Sequence, residues 1–314
     1  MTVNGVLNLY KPAGETSMDM VRMVKRLTGQ KKVGHGGTLD PIASGVLPIC
    51  FGQATRLMDP LVDGVKRYHT RVRLGETTDT YDSDGTVTAT ADASAVTRDD
   101  VEAALDAFRG VIQQVPPMYS ALKQGGERLY DLARAGFDVV REPREVVVHS
   151  LTLEAYEPPD VVLDIVCGRG VYVRSIGHDL GVALGCGGHV VELERRGAGP
   201  FTSDDAVTPD RFREAVEAGA WMDLVHPPDI VVSNLPAGTV AGALETFVKS
   251  GRSVVLGGRE GMDPPQHGEL WRVYGHDGRF IALARYDKPT GQWRPEKVFD
   301  ATQQATRHRA PSRP

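Results

Sequence analysis

Asp40 is the only acidic residue in the run Gly34-His35-Gly36-Gly37-Thr38-Leu39-Asp40-Pro41-Ile42-Ala43-Ser44-Gly45-Val46-Leu47-Pro48. The run holds too many glycines and prolines for a regular helix. Glycine admits positive φ and close backbone approach, and Pro41 biases Asp40 towards an extended conformation. Residues 34–48 therefore read as a shaped loop that presents one carboxylate. A carboxylate with a reference pKa of about 3.9 is ionised at neutral pH and can act as a nucleophile. An Asp before Pro is also an ordinary turn former, and the loop by itself leaves both readings open.

Other groupings that invite chemistry fail on spacing. Ser175, His178 and Asp179 fall three and four apart on one expected helix, where side chains touch without the exposed nucleophile turn a triad needs. Asp79, Asp82 and Asp84 lack the twelve-residue frame ending in Glu of a calcium loop and read as an acidic turn. The glycines around Gly185 and Gly187 open no strand-glycine-helix unit of the dinucleotide-binding kind. Cys50, Cys167 and Cys186 are odd in number and scattered, which points to reduced thiols rather than disulfides or zinc. No metal and no cofactor is expected.

At 41% hydrophobic and 25% charged, the 314 residues have the composition of a soluble globular protein long enough for two domains. No apolar run approaches the roughly 20 residues of a membrane span, and the first five residues lack the order of a signal peptide, so a cytoplasmic protein is expected. The net charge of −5 hides a strong asymmetry: +6 over residues 1–75 and −7 over 76–110. Arg22, Lys25, Arg26, Lys31 and Lys32 lie just ahead of the carboxylate loop. This permits a polyanionic partner there, with a solvated basic face as the alternative. The acidic stretch 76–110 cannot lie along phosphates and is expected to face away from them.

The elements that must position the loop are legible from pattern. Val6 to Tyr10 alternates as a short strand. Thr16 and Asp19 form a capping box ahead of a helix through Met20, Val21, Val24 and Leu27, stopped by Gly29. Thr55 to Leu61 suggests a further short helix. Lys66 to Gly75 alternates with period two, a strand with one buried face. Thr97 and Asp100 cap a second helix through Val101, Ala104, Leu105 and Phe108. Val115 to Lys123 begins extended, and Glu127 to Ala135 reads as helical until Gly136. Val146 to Tyr156, Val161 to Cys167 and Gly170 to Arg174 read as strands, Ser175 to Leu184 as a helix closed by Gly185, and Gly187-Gly188 as a turn into another strand. Thr208-Pro209 opens a last helix. Pro227-Pro228 and the sequence up to Gly238 read as a linker, and Ser253 to Leu256, Leu270 to Tyr274 and Arg279 to Ala284 as strands of a small β-rich domain. The tail from Thr302 to Pro314 is expected to be disordered.

Several of these pieces, in this order, resemble the TruB family of pseudouridine synthases in its stand-alone bacterial form. They are Leu9-Tyr10-Lys11-Pro12, Gly34-His35 through Asp40-Pro41 to Leu47-Pro48, Lys66-Arg67-Tyr68, Pro116-Pro117-Met118-Tyr119-Ser120-Ala121-Leu122-Lys123, Gly170-Val171-Tyr172-Val173-Arg174 and His189-Val190-Val191-Glu192-Leu193 with Arg195-Arg196. They span roughly residues 5–200. Gly36-Gly37-Thr38 departs from the family's commoner Thr-Gly-Ala and leaves Asp40-Pro41 intact. Trp271 to Phe299 resembles the family's small RNA-binding PUA-type domain.

The resemblance implies an α+β fold with a mixed, largely antiparallel central sheet flanked by helices and loops. Residues 1–228 would form the catalytic domain, with a thumb-like insertion at about 116–144 that closes over RNA and a Gly125-Gly126 hinge. Residues 229–301 would form the PUA-like domain. It implies isomerisation of uridine to pseudouridine at position 55 in the T loop of tRNA, by a monomer acting without guide RNA. Asp40 would be the nucleophile, with Arg174 paired to it and Tyr68 stacked on an extruded base. His35 would occupy the space the base leaves, and Tyr172 and Leu193 would line the pocket. The alternative is a tRNA-binding or folding factor that keeps the scaffold without turnover.

Overall fold

The structure, a computed structural model, describes residues 2–120, 122–135, 137, 139–257 and 263–300. The tail expected to be disordered lies outside the described residues. The chain begins with strand β1 (Gly5–Lys11) and helix α1 (Ser17–Thr28), then β2 (Val33–His35), β3 (Ser44–Phe51), the short helix α2 (Met58–Asp63) and β4 (Lys66–Leu74). A hairpin of β5 (Glu76–Thr78) and β6 (Val87–Thr90) leads to α3 (Arg98–Leu105) and β7 (Gly110–Gln114). The insertion holds a two-strand hairpin, β8 (Lys123–Gln124) and β9 (Glu127–Arg128), and α4 (Leu129–Arg134). There follow β10 (Arg144–Glu157), β11 (Asp160–Cys167), α5 (Val173–Ala183), β12 (Gly188–Ala198), β13 (Phe201–Thr202), α6 (Pro209–Glu217) and β14 (Val225–His226). The C-terminal part is built from β15 (Ala237–Thr239), α7 (Ala243–Lys249), β16 (Leu270–Tyr274), β17 (Phe280–Asp287) and β18 (Gln292–Val298).

Among the described residues ten strands form one sheet in the order β14-β1-β3-β12-β4-β11-β10-β7, with β2 added to β3 and β13 to β12. All its pairings are antiparallel except the short one between β12 and β3, where Glu194 faces Ser44 and Arg195 faces Gly45. That parallel junction joins the two halves of the sheet. Gly45 has φ 104°, and a Cβ there would lie 2.3 Å from the Arg195 carbonyl oxygen, so glycine is what lets the halves meet.

Local signals explain most elements. Thr16 and Thr97 each make both hydrogen bonds of a capping box, and Gly29 ends α1 with φ 67°. α1 turns Met20, Val21, Met23 and Val24 into the main core, where they meet Leu7, Leu9, Leu47 and Ile49 of β1 and β3. The opposite face of these strands, with Val6, Val46 and Cys50, packs with Phe280, Leu283 and Phe299. The four-stranded C-terminal sheet is thereby docked on the first one. Arg56 donates to the Val298 carbonyl (2.6 Å) and Tyr274 to Asp229 (2.6 Å) across this contact. Cys50, Cys167 and Cys186 are free and buried. No helix among the described residues is long and apolar enough to cross a membrane.

Several local expectations are corrected. The loop read as 34–48 is shorter, because Ser44 onward enters β3. Pro48 is tolerated there since its carbonyl faces Gly36 (2.8 Å); its imide nitrogen points the same way, so β1 on the other edge loses no donor. Gly170 to Val171 forms no strand, and Arg174 lies in the first turn of α5; Gly170 has φ 86° and both backbone polar groups of Tyr172 bond to the Gln114 side chain. Gly125 and Gly126, with φ 62° and 95°, form the two-residue tip between β8 and β9. The proline-rich linker is packed: Pro228–Val232 is a 3-10 turn that buries Val231 and Val232. Residues 253–256 contribute only a bridge from Val254 to Trp293, and α7 was not anticipated.

Candidate active site

The segment between β2 and β3 that carries Asp40 is held by two buried cations and one hydroxyl. Lys11, at the end of β1, donates to the carbonyls of Pro12 (2.9 Å), Glu15 (2.6 Å) and Pro41 (3.3 Å). Arg195 on β12 donates to the carbonyls of Val46 (2.7 Å), Gly37 (3.1 Å) and Thr38 (3.3 Å). Ser17, the first residue of α1, grips Leu39 twice: its Oγ accepts from the Leu39 amide (2.8 Å) and donates to the Leu39 carbonyl (3.1 Å). Burial pushes the Lys11 pKa down to about 8, against the opposing charges of Asp40 and Glu15. These contacts fix a backbone that has little regular hydrogen bonding of its own, and Asp40 remains about one-third exposed.

Arg174 is 3% exposed and reaches four groups. Its Nε lies 2.8 Å from Oδ2 of Asp40, a charge contact in which the N–H is not aligned for a hydrogen bond. Nη1 lies 3.3 Å from Oδ2 of Asp82 and donates to the Thr80 carbonyl (3.0 Å), and Nη2 donates to the Tyr119 carbonyl (2.8 Å). Asp82 is itself buried and is fastened by Thr80 Oγ1 (2.5 Å) and the Asp84 amide (3.1 Å). Burial pushes the Asp82 pKa up, with Thr80 and then Arg174 acting against it.

Asp40, Tyr68, Tyr172 and Leu193 line a cavity of about 300 Å³, together with Lys66 and Arg195. That is the lower end of the size range of small-ligand pockets. Tyr68 stands in the middle of β4, opposite Arg195 of β12 and Ile165 of β11, and burial raises its pKa. Tyr172 is also raised by burial, and Lys66 is pushed down to about 8 by burial and then by Arg195. Leu193 is a buried residue of β12. The lining thus sets aromatic and aliphatic side chains beside the Asp40 carboxylate and the cations Lys66 and Arg195.

Five of the six site residues expected from sequence therefore come together, Arg174 from behind Asp40. His35 does not join the cavity lining; it ends β2, and its Nδ1 is buried without a hydrogen-bond partner among the described residues. Burial and then Arg195 lower its pKa. Asp82 is a site residue that the sequence reading does not single out, because it falls in an acidic turn of the stretch 76–110 that is expected to face away from phosphates. The available signal was local: Thr80 two residues before Asp82 can bond to that carboxylate and turn it inward. Lys11 and Arg195 stood within the motifs, but nothing in their spacing showed that they would clamp the loop from both sides.

A chain in the crystal structure of a Cbf5-Nop10-Gar1 complex superposes with a TM-score of 0.71 at 28% identity, over 94% of this chain and 85% of that one. A chain from the structure of an H/ACA RNP bound to a substrate RNA containing 2'-deoxyuridine gives the same TM-score at 25% identity, over 94% and 85%. The large mixed sheet with the site at the junction of its halves is the pseudouridine synthase fold, which sets the chain among RNA-binding isomerases. The sequence model of the TruB family pseudouridylate synthase N-terminal domain matches residues 25–173, and that of the tRNA pseudouridylate synthase B C-terminal domain matches residues 174–232. Proteins named tRNA pseudouridine synthase B are 40% identical in Dehalococcoides mccartyi, over 95% of this chain and 97% of that protein, and 46% identical in Symbiobacterium thermophilum, over 79% and 82%. The chain belongs to the TruB family of pseudouridylate synthases, enzymes that isomerise uridine.

Proposed function

We propose that the protein converts uridine to pseudouridine at position 55 in the T loop of tRNA, with Asp40 as the nucleophile. The observation that carries this reading is the 2.8 Å contact between Asp40 and Arg174 at the end of a cavity walled by Tyr68, Tyr172 and Leu193. The bond from ribose C1′ to uracil N1 breaks, the ring turns, and a bond from C1′ to C5 forms; C5 gives up its proton and N1 takes one up, so the proton count is unchanged. Substrate and product are isomers, so no hydride or group donor enters the balance. Asp40 forms a covalent adduct with the sugar or the base that holds the pieces and is released when the new carbon–carbon bond is made, and the Arg174 guanidinium 2.8 Å away orients its carboxylate.

The uracil leaves its stack to reach this cavity, at a cost of a few kcal/mol. Stacking on Tyr68 offsets about 1–3 kcal/mol of that. His35, at the entrance to the loop, fills the space left in the RNA, and Tyr172 and Leu193 exclude water from the ring. The insertion at 116–144 closes over the T arm, and the C-terminal sheet, residues 229–301, acts as a PUA-like RNA-binding domain. The names of the relatives and the positive charge ahead of the loop support a tRNA substrate. The test is to incubate the protein with an unmodified tRNA transcript and map pseudouridine. Product in the T loop is expected, and Asp40→Asn is expected to abolish it while tRNA binding persists. Multiple turnover by Asp40→Asn would refute the mechanism, and product elsewhere would refute the substrate.

A further inference from the structure

Tyr81, in the turn between β5 and β6, is the only non-glycine residue with positive φ among the described residues, at 64°. Such positions ordinarily fall to glycine or asparagine, because a Cβ is crowded there. The backbone of Tyr81 is held on both sides: its amide donates to the Thr78 carbonyl (3.3 Å) and its carbonyl accepts from the Val190 amide (3.0 Å). Its ring lies flat on the imidazole of His178, with centroids 3.8 Å apart and planes 11° from parallel. The His178 Nδ1 is buried without a hydrogen-bond partner among the described residues, so what this residue offers the turn is its face.

The location gives the stack its meaning. His178 follows Arg174 by one turn of α5, on the same side of the helix. The sequence neighbours of Tyr81 are the two groups of this turn that touch Arg174, the Thr80 carbonyl at 3.0 Å and the Asp82 carboxylate at 3.3 Å. A strained tyrosine persists only where its surroundings over-determine it, and here they do so next to the reacting carboxylate's partner.

We propose that the Tyr81–His178 stack is a clasp that seats the Thr80–Asp82 turn on Arg174 and so aims the guanidinium at Asp40. Both residues are positioning residues for the isomerisation, an inference that rests on reading Asp40 as the nucleophile. Without the stack the turn relaxes, its carbonyl and carboxylate withdraw, and Arg174 keeps the Tyr119 carbonyl and Asp40 with freedom to swing between them.

The test uses the full chain and an unmodified tRNA transcript, with single-turnover rate constants and tRNA dissociation constants measured for Tyr81→Gly, Tyr81→Phe, His178→Ala and His178→Phe. Glycine adopts the Tyr81 backbone conformation without strain, so Tyr81→Gly removes the ring and spares the fold, which the melting temperature checks. Tyr81→Gly and His178→Ala are expected to lower the single-turnover rate about tenfold at unchanged dissociation constant, as a misplaced catalytic group does. Tyr81→Phe and His178→Phe, which keep a ring for stacking, are expected to hold the rate within about twofold of wild type. A wild-type rate in Tyr81→Gly, an equal loss in Tyr81→Phe, or an effect confined to the dissociation constant would overturn the clasp. Wild-type protein that forms no pseudouridine in the transcript would instead overturn the function on which the clasp rests.

Discussion

Arg174 Nε lies 2.8 Å from Oδ2 of Asp40, and the same guanidinium contacts Asp82 and the carbonyls of Thr80 and Tyr119. One buried side chain in the first turn of α5 thus gathers the carboxylate loop, the β5–β6 turn and the start of the insertion. A planar fork with five donors suits that task, whereas an ammonium is a point charge.

Arg174→Lys is therefore expected to lower the single-turnover rate about 100-fold, a loss of about 3 kcal/mol of transition-state stabilisation. Asp82→Asn keeps the shape of the carboxylate but not its charge, and a loss of about tenfold is expected. tRNA affinity measured by filter binding should change little in either variant, since the network acts on Asp40. A wild-type rate in Arg174→Lys would remove the guanidinium from the mechanism.

Gly45 is a stability position. Its φ is 104°, and any Cβ at this position would lie 2.3 Å from the Arg195 carbonyl oxygen, which forbids a side chain at the junction of the sheet halves. Gly45→Ala is expected to destabilise the protein by about 3 kcal/mol or more. Gly14→Ala is the control: φ there is 85°, but nothing among the described residues lies within 4 Å of the added Cβ, and the expected cost is about 1 kcal/mol. Urea midpoints of the two variants check the difference, and equal midpoints would contradict it.

Lys11 sets a pH dependence. Its folded-state pKa of about 8 lies below the ordinary 10.5, so between these values the unfolded chain holds one more proton than the folded one. The Lys11 contribution to stability therefore rises with pH through that window, and the penalty for burying the charge is present in full below about 8. Activity responds the other way. The neutral amine has two N–H donors for the three carbonyls that Lys11 now binds, so the loop slackens and the rate falls above about pH 8. Lys11→Met should lack this alkaline limb in a pH–rate profile, while Lys66→Met, at the other lysine with a pKa near 8, should retain it. An unchanged limb in Lys11→Met would assign the titration elsewhere.

The division between pattern and tertiary structure follows the range of the forces involved. Helix ends were readable because caps are local: Thr16 with Asp19, Thr97 with Asp100 and Thr208 with Pro209 act within four residues. The long strands were readable because one buried face imposes alternation, as from Lys66 to Leu74. Gly170 to Arg174 misled because a short β-branched run means strand only if a partner strand is beside it, and here the Gln114 side chain takes that place. Ser44 to Pro48 misled in the opposite sense, since its strand character comes from β1 and β12 on either side.

The carboxylate loop, its motif partners and the family they resemble were set by the sequence alone, because residue types in order are what a family keeps. Tertiary structure decided which charges meet. Asp82, inside a stretch of net negative charge, turns inward to Arg174, while Lys11, inside the basic segment 1–75, and Arg195 of β12 turn inward to carbonyl oxygens. A buried charge must find opposite charge or hydrogen-bond acceptors, and where those lie depends on a sheet that brings residues 11, 40, 82, 174 and 195 to one junction.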